Sequence, residues 1–192
     1  VMLTQNLLVG VRDPYGIRPL VLGKLKNSYV LASETCALDI IGAKFIREVD
    51  NGEIVLIEND KLKSIKHFPT KKIRPCVFEY IYFARPDSIL NGKTAYEHRK
   101  NLGKELAKEN DINADIIVPV PDSGNAAALG FAQHLNKNYE HGLIRNHYVG
   151  RTFIEPSQKI RSLGVKLKLN ANQTTIENKK IILVDDSLVR GT

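Results

Sequence analysis

Two adjacent carboxylates near the end of the chain carry its strongest chemical signal. Asp185 and Asp186 directly follow an apolar run, residues 181–184, that has the character of a buried strand. In open α/β sheets, ligands bind beyond the carboxyl ends of the strands. Two such carboxylates 4 Å apart repel by about 1 kcal/mol in water and by about 4 kcal/mol at an effective dielectric of 20. A Mg²⁺ ion or the hydroxyls of a ribose would offset that repulsion, so the pair predicts a cation or sugar site.

A phosphate-binding loop is predicted to follow the two carboxylates. Gly191 and Thr192 offer backbone N–H groups and a hydroxyl to a phosphate. The alternative is an ordinary acidic turn in which Arg190 is the salt-bridge partner. The complete string from the strand to Thr192 favours the ligand site, whereas the acidic pair alone would favour the turn.

A second loop has the same layout. Residues 114–121 read as a strand, and Asp122, Ser123 and Gly124 then turn into a helix. The start of a helix attracts anions through its free N–H groups, and the Ser123 hydroxyl could add a ligand for a metal or a diphosphate. On its own, this loop is better explained by an ordinary helix cap.

The elements that must position these loops change in type along the chain. The first 66 residues predict antiparallel strands with one helix over 34–41, which Ser33 caps, and a hairpin over 53–65. Residues 69–75 carry prolines and charges without a regular period and predict a linker. Beyond it, strands and helices alternate, which indicates a parallel sheet and an α/β fold. The predicted elements there are helices over 95–110 and 125–135 and strands over 116–120, 143–144 and 181–184.

Composition excludes several classes of protein. The 192 residues are 43% hydrophobic and 26% charged, as in ordinary globular proteins rather than disordered or fibrous ones. No apolar run approaches the ~18 residues of a membrane span, so we expect a soluble, cytoplasmic protein. The two cysteines, Cys36 and Cys76, exclude a disulfide scaffold and a self-contained zinc site.

The net charge is unevenly distributed along the chain. Residues 1–68 carry a net +1 and residues 69–192 a net +6 out of the total of +7. Such a basic half suggests a polyanionic partner, either a nucleic acid or a phosphorylated small molecule.

Four stretches together resemble the amidophosphoribosyltransferases, also called glutamine phosphoribosylpyrophosphate amidotransferases. They are residues 12–20 (RDPYGIRPL), 78–88 (FEYIYFARPDS), 148–154 (YVGRTFI) and 181–192 (IILVDDSLVRGT). The last one also resembles the phosphoribosyl pyrophosphate signature of type I phosphoribosyltransferases. The resemblance covers essentially the whole chain.

The resemblance implies a two-domain glycosyltransferase that catalyses the committed step of purine synthesis. A glutaminase domain with an N-terminal nucleophile releases ammonia from glutamine. A phosphoribosyltransferase domain uses it to displace pyrophosphate from phosphoribosyl pyrophosphate, giving phosphoribosylamine and glutamate. Residues 1–68 would be the end of the β-rich glutaminase domain, 69–75 a linker, and 76–192 the front of the parallel-sheet domain.

Site residues carry over only where positions match. Asp185 and Asp186 resemble the family's Mg²⁺ and ribose carboxylates, and Ser123 the metal-associated residue of its pyrophosphate loop. Lys168 resembles a substrate-contacting lysine in a flexible loop that closes over the substrate, here residues 148–172. That loop belongs to a strongly basic stretch, residues 143–170, whose six cations are Arg145, Arg151, Lys159, Arg161, Lys166 and Lys168.

Cys76 has two interpretations. In the iron–sulfur branch of the family, a cysteine just before residues 78–80 is a ligand of a [4Fe-4S] cluster whose other ligands would lie beyond Thr192. A cysteine there can equally be a small buried hydrophobe without a cluster.

The match to the family is partial. The region that carries the family's nucleophilic cysteine has no counterpart here, so we interpret the chain as an internal fragment that performs neither half-reaction alone. The implied partners are phosphoribosyl pyrophosphate, glutamine, purine nucleotide feedback inhibitors and further copies of the chain, with no nucleic acid or membrane.

Two other functions compete with this interpretation. A regulatory protein could use the fold to sense phosphoribosyl pyrophosphate and bind DNA, but it would carry a winged helix where residues 1–68 predict β structure. A salvage transferase would lack residues 1–68.

Overall fold

The chain divides into two compact units, residues 1–96 and 97–192. A computed structural model describes residues 1–69, 71–110, 112–148 and 164–188. The predicted linker 69–75 lies inside the first unit, where the N–H groups of Arg74 and Cys76 donate to the carbonyls of Tyr15 and Ile17 at 2.8 and 2.9 Å. Compact units defined by packing do not test the domain boundary predicted from sequence, which stays a prediction.

The first unit is built mainly of antiparallel strands. Its elements are β1 (Met2–Leu3), β2 (Leu7–Val11), β3 (Val21–Leu25), β4 (Ser28–Ala32), α1 (Thr35–Ile40), β5 (Lys44–Glu48), β6 (Glu53–Glu58), β7 (Lys61–Lys66), a π-helix (Glu79–Phe83), β8 (Ile89–Leu90) and β9 (Lys93–Thr94). The sheets have the orders β1-β2-β6-β7, β4-β3-β5 and β8-β9. Apolar residues alternate along β3 and β6, so their inward side chains pack together and form a core. The buried residues of this core are Leu20, Leu22, Val49, Val55 and Ile57.

The predicted hairpin and helix of this unit are confirmed, with one error at a helix cap. β6 and β7 are joined through Asn59 and Asp60, both at positive φ, as two-residue hairpin turns of the favoured kind require. The helix starts one residue later than predicted and is not capped by Ser33. Glu34 stands at the cap position and makes no side-chain cap bond, because its carboxylate instead accepts bonds from the Arg85 N–H and the Ser88 hydroxyl at 2.8 and 2.6 Å.

The second unit has a parallel sheet. Its elements are α2 (Ala95–Lys108, which begins two residues before the unit), β10 (Ile116–Pro119), α3 (Asn125–Leu135), β11 (Asn138–Tyr139), β12 (Leu143–Arg145), α4 (residues 164–168), β13 (Leu169–Ala171), α5 (Gln173–Ile176) and β14 (Ile181–Val184). β10 lies between β11 and β14 and is parallel to both. The predicted α/β class is confirmed, and α3 has the predicted bounds.

Two strands of this unit differ from the prediction. The strand at 143–144 is not part of the parallel sheet, since β12 pairs antiparallel with β13. β14 is not a fully buried strand: Leu183 is 54% exposed, whereas Val184 is 4% exposed. The reason is that side chains alternate along the strand: Ile182 and Val184 pack in the core with α3, whereas Leu183 points to the opposite face, which is exposed at this strand.

Small residues control the packing of α2 on α3. A Cβ at Gly103 would lie 1.9 Å from the Ala127 carbonyl oxygen, and one at Gly130 would lie 1.9 Å from that of Lys100. Because the two backbones approach this closely, the buried face of α2 carries Gly103 and Ala107 beside the buried Arg99, and Leu102 and Leu106 remain 49% and 43% exposed.

A buried ion pair in the first unit generates a stability prediction. Glu53 is 1% exposed and accepts bonds from Arg47 at 2.8 and 2.6 Å, from the Asp50 N–H at 2.6 Å and from the Ser64 hydroxyl at 2.6 Å. The Arg47 hydrogen bonds lower the pKa of Glu53 from 4.5 to about 2, against the opposing effect of burial. Its ionised form therefore stabilises the fold above pH 4.5, and this contribution is lost as the pH falls from 4.5 toward 2.

We expect Glu53→Gln to lower the free energy of unfolding of the full-length protein by about 3 kcal/mol at neutral pH. The difference from the wild type should shrink as the pH falls below 4.5, because the wild-type carboxylate is then protonated as well. Urea denaturation at a series of pH values measures this. Glu58→Gln, at the exposed end of the same strand, is the matched control and should change little; an equal loss in both variants would contradict the prediction.

Candidate functional site

The two predicted loops lie side by side because β10 and β14 are parallel neighbours. Their register pairs Pro119 with Val184, and the Val120 N–H donates to the Val184 carbonyl at 2.9 Å. Both strands therefore end at the same level of the sheet. Residues 121–124 and 185–188 therefore leave from the same edge of the sheet.

Gly124 allows the first loop to lie directly on the end of β14. A Cβ at this position would meet the Val184 carbonyl oxygen at 2.3 Å and that of Val120 at 2.9 Å. The Gly124 N–H also donates to the Val120 carbonyl at 2.9 Å, which closes the loop before α3. Ser123, half-buried in this loop, is thereby placed next to the strand that leads to Asp185.

The two carboxylates after β14 form a tight local cluster. The Asp186 N–H donates to the Asp185 carboxylate at 2.8 Å, and the Ser187 hydroxyl donates to the Asp186 carboxylate. Although Asp185 has exposed surface, desolvation raises its pKa and the Asp186 charge raises it further, while the Asp186 N–H and Lys168 lower it. A bound cation would remove the repulsive contribution, so the pair has the electrostatics of a metal or polyol site.

Lys168 lies next to the antiparallel strands β12 and β13. It ends α4, is half-buried, and its carbonyl accepts a bond from the Asn146 N–H at 2.7 Å. Its charge acts on Asp185, so the two residues are close enough to interact. Lys168, which was predicted from the resemblance alone, is therefore within electrostatic range of Asp185.

The structure adds an ion pair that the sequence did not predict. Arg145, at the end of β12, donates to the Asp122 carboxylate in the loop before α3. Arg145 entered the sequence analysis only as one of six cations in a basic stretch. No spacing rule joins positions 122 and 145, since the contact depends on where β12 lies.

Several predicted site residues lie outside the described part of the chain. They are Gly191 and Thr192, together with Arg190, Arg151, Lys159 and Arg161. Their assigned roles stay predictions.

The surroundings of the two cysteines differ. Cys36 is buried in α1, its thiol lies 3.6 Å from the Glu34 carboxylate, and burial is the main cause that raises its pKa. Cys76 is half-buried, forms no disulfide, and precedes two exposed apolar residues, Val77 (58%) and Phe78 (48%). Among the described residues, no group of three or more His, Cys, Asp or Glu side chains could hold a metal ion by itself.

Known proteins resemble the chain along essentially its whole length. The chain is 56% identical to the amidophosphoribosyltransferase of Rhizobium etli over 99% of its length and 39% of the relative's. It is 50% identical to the chloroplastic amidophosphoribosyltransferase of Glycine max over 100% of its length and 34% of the relative's. The resemblance to amidophosphoribosyltransferases is confirmed. No family model matches the chain.

Solved structures agree with the relationship to amidophosphoribosyltransferases. The glutamine phosphoribosylpyrophosphate amidotransferase of B. subtilis, complexed with ADP and GMP, has a TM-score of 0.89 and 46% identity, covering 98% of this chain and 42% of that one. A structure described as the allosteric regulatory enzyme of purine biosynthesis has a TM-score of 0.90 and 47% identity, covering 99% and 41%. The chain therefore spans about two fifths of the length of the structures it matches.

The close approach at Gly124 generates a prediction. We expect Gly124→Ala to push the loop away from β14, because its Cβ would meet backbone oxygens that no side-chain rotation can move. In the full-length protein this should destabilise the fold by about 1–3 kcal/mol and weaken ligand binding at the acidic pair. Thermal unfolding and titration with Mg²⁺ pyrophosphate measure the two effects.

The control for Gly124→Ala is Ser123→Ala, in the same loop. It removes a hydroxyl without adding a Cβ, so it should leave the melting temperature nearly unchanged. A Gly124→Ala protein as stable as the wild type would show that the loop can shift without cost.

Proposed function

We propose that this chain is part of an amidophosphoribosyltransferase. The complete enzyme would convert glutamine, water and phosphoribosyl pyrophosphate to phosphoribosylamine, glutamate and pyrophosphate. The main support is the acidic pair beside the Ser123 loop at one sheet edge, in a chain about half identical to enzymes of that name. The chain covers only part of those relatives, so neither half-reaction is assigned to it in isolation.

In this proposal, the second unit binds phosphoribosyl pyrophosphate. The carboxylates of Asp185 and Asp186 would accept hydrogen bonds from the ribose hydroxyls and, with Ser123, would hold Mg²⁺ on the diphosphate. The donor set fits the ion, since Mg²⁺ takes hard oxygen ligands and is commonly bound by one or two carboxylates plus substrate phosphates. When bound, Mg²⁺ would neutralise the charge of the leaving pyrophosphate. Lys168 would add a positive charge near the same phosphates.

The competing functions have less support. A regulator that binds DNA through a winged helix does not fit a first unit made of antiparallel sheets. A salvage transferase would not need residues 1–68, which match the relatives along with the rest of the chain.

Regulation, assembly and location are proposed from the relatives. The B. subtilis structure contains ADP and GMP, so we propose that purine nucleotides inhibit this enzyme. We also propose that it forms homo-oligomers. None of the described helices is long and apolar enough to cross a membrane. We propose a cytoplasmic location, as distinct from the plant relatives, which are described as chloroplastic.

The proposal for the acidic pair is tested by replacing both carboxylates. In the full-length protein, Asp185→Asn with Asp186→Asn should abolish phosphoribosyl transfer, because each lost charge-assisted hydrogen bond contributes about 1.5–3 kcal/mol. Glutaminase activity measured without the second substrate should persist. Calorimetry with Mg²⁺ phosphoribosyl pyrophosphate is the direct measurement, and unchanged binding would refute the assignment.

Cys76 is proposed as one ligand of a [4Fe-4S] cluster. Such clusters need four thiolates, and this chain has only Cys76 and the buried Cys36. A half-buried thiol beside exposed apolar residues fits one position of such a site, and the other ligands would come from the rest of the protein.

The cluster proposal has a spectroscopic test. Full-length protein purified without oxygen should be brown and contain iron, and Cys76→Ser should lose the iron and fold poorly, because the cluster would join distant segments. Cys36→Ser is the control and should keep its iron. A colourless, iron-free and fully active wild type would exclude the cluster.

A further inference from the structure

The ion pair between Asp122 and Arg145 is the starting point. Asp122 lies in the loop between β10 and α3, two residues from Gly124, and Arg145 ends β12. The Arg145 side chain is 31% exposed and that of Asp122 is 54% exposed. The pair therefore stands at the surface of the proposed substrate site, where a ligand can reach it.

Arg145 has hydrogen-bonding capacity left over. Its Nη1 donates to Asp122, whereas its Nε–H is buried and has no partner among the described residues. A buried donor without a partner is unfavourable, and a guanidinium offers several donors in a fork that fits phosphate oxygens. Arg145 is thus suited to hold an anion, but it is paired with the Asp122 carboxylate.

The position of Asp122 is unfavourable for a diphosphate site. A carboxylate beside a ligand with several negative charges repels it, and the nearby Asp185 and Asp186 already carry the acidic groups that the metal would need. Among the described residues, the only side-chain ion pair of Asp122 is the one with Arg145.

We propose that Asp122 is an intramolecular competitor that occupies Arg145 until a diphosphate displaces it. This inference rests on the proposed function and adds a regulatory element to the same site. A phosphate group would take over the Arg145 donors, and Asp122, which is exposed, would turn to water. The cost of breaking the pair lowers the apparent affinity, since only the fraction of molecules with a free Arg145 binds the anion fully.

The competitor is tested by measuring the affinity of the full-length protein for Mg²⁺ pyrophosphate by calorimetry. Asp122→Asn and the smaller Asp122→Ser should each bind pyrophosphate about fivefold or more tightly than the wild type, because Arg145 is then free in every molecule. Arg145→Gln should bind more weakly. In the double variant Asp122→Asn with Arg145→Gln, the gain from removing Asp122 should largely disappear, as expected for residues that act on each other.

The matched control is Glu105→Gln. Glu105 pairs with Lys108 at 2.7 Å on the exposed surface of α2, so this variant also removes one carboxylate from an ion pair, but on a helix that carries none of the proposed site residues. It should leave the affinity unchanged within about twofold, because neither partner is a group proposed to bind the diphosphate. A gain equal to that of Asp122→Asn would mean that only net charge matters, and it would overturn the proposal.

The remaining outcomes separate this inference from the proposed function. Wild-type binding that depends on Asp185 and Asp186, with no gain in either Asp122 variant, would refute the competitor and leave the substrate site intact. Weaker binding in both Asp122 variants would show that Asp122 positions Arg145 for the ligand instead of withholding it. Absence of pyrophosphate binding in the wild type and in every variant would overturn both proposals.

Discussion

The candidate site depends on the parallel contact between the ends of β10 and β14. The Val120 N–H binds the Val184 carbonyl, and Gly124 then brings the following loop within van der Waals distance of the same oxygen. A side chain at position 124 would occupy that space. Because this contact sets where both loops begin, it determines how close the Ser123 hydroxyl lies to the chain that carries Asp185 and Asp186.

Close backbone contact also holds α2 against α3. Gly103 and Gly130 let the two helix backbones approach so closely that no side chain fits between them. Close packing of backbone on backbone leaves little freedom to slide. The packing on α2 therefore supports α3, and α3 in turn supports the Ser123 loop at which it starts.

Charge at the site is arranged in opposing pairs. Asp185 and Asp186 repel each other, and Lys168 opposes part of that effect, while Asp122 and Arg145 neutralise each other. Among the residues that the structure describes, neither Asp185 nor Asp186 has an ion pair of this kind. An ion of the opposite sign would therefore bind there most favourably, and the paired Arg145 would respond to an anion.

The first unit uses burial differently. Glu53 is removed from solvent and satisfied by Arg47, Ser64 and a backbone N–H, so its charge stabilises the fold and is not offered to a ligand. The contrast shows that the same residue type is structural where its bonds are complete and a candidate site where they are not.

Local sequence determined the elements and the family. The turn residues at 59–60, the bounds of α3 and the apolar run of β14 follow from backbone preference and periodicity, and the strings around 12–20 and 181–192 led to the relatives. Only the tertiary structure decided which of these residues meet. In the structure, β12 is not part of the parallel sheet, Leu183 is exposed on the edge strand β14, and Asp122 pairs with Arg145. Secondary-structure propensity acts between neighbours in the chain, whereas these contacts link residues far apart in sequence. Their geometry depends on how closely glycine lets the backbones approach.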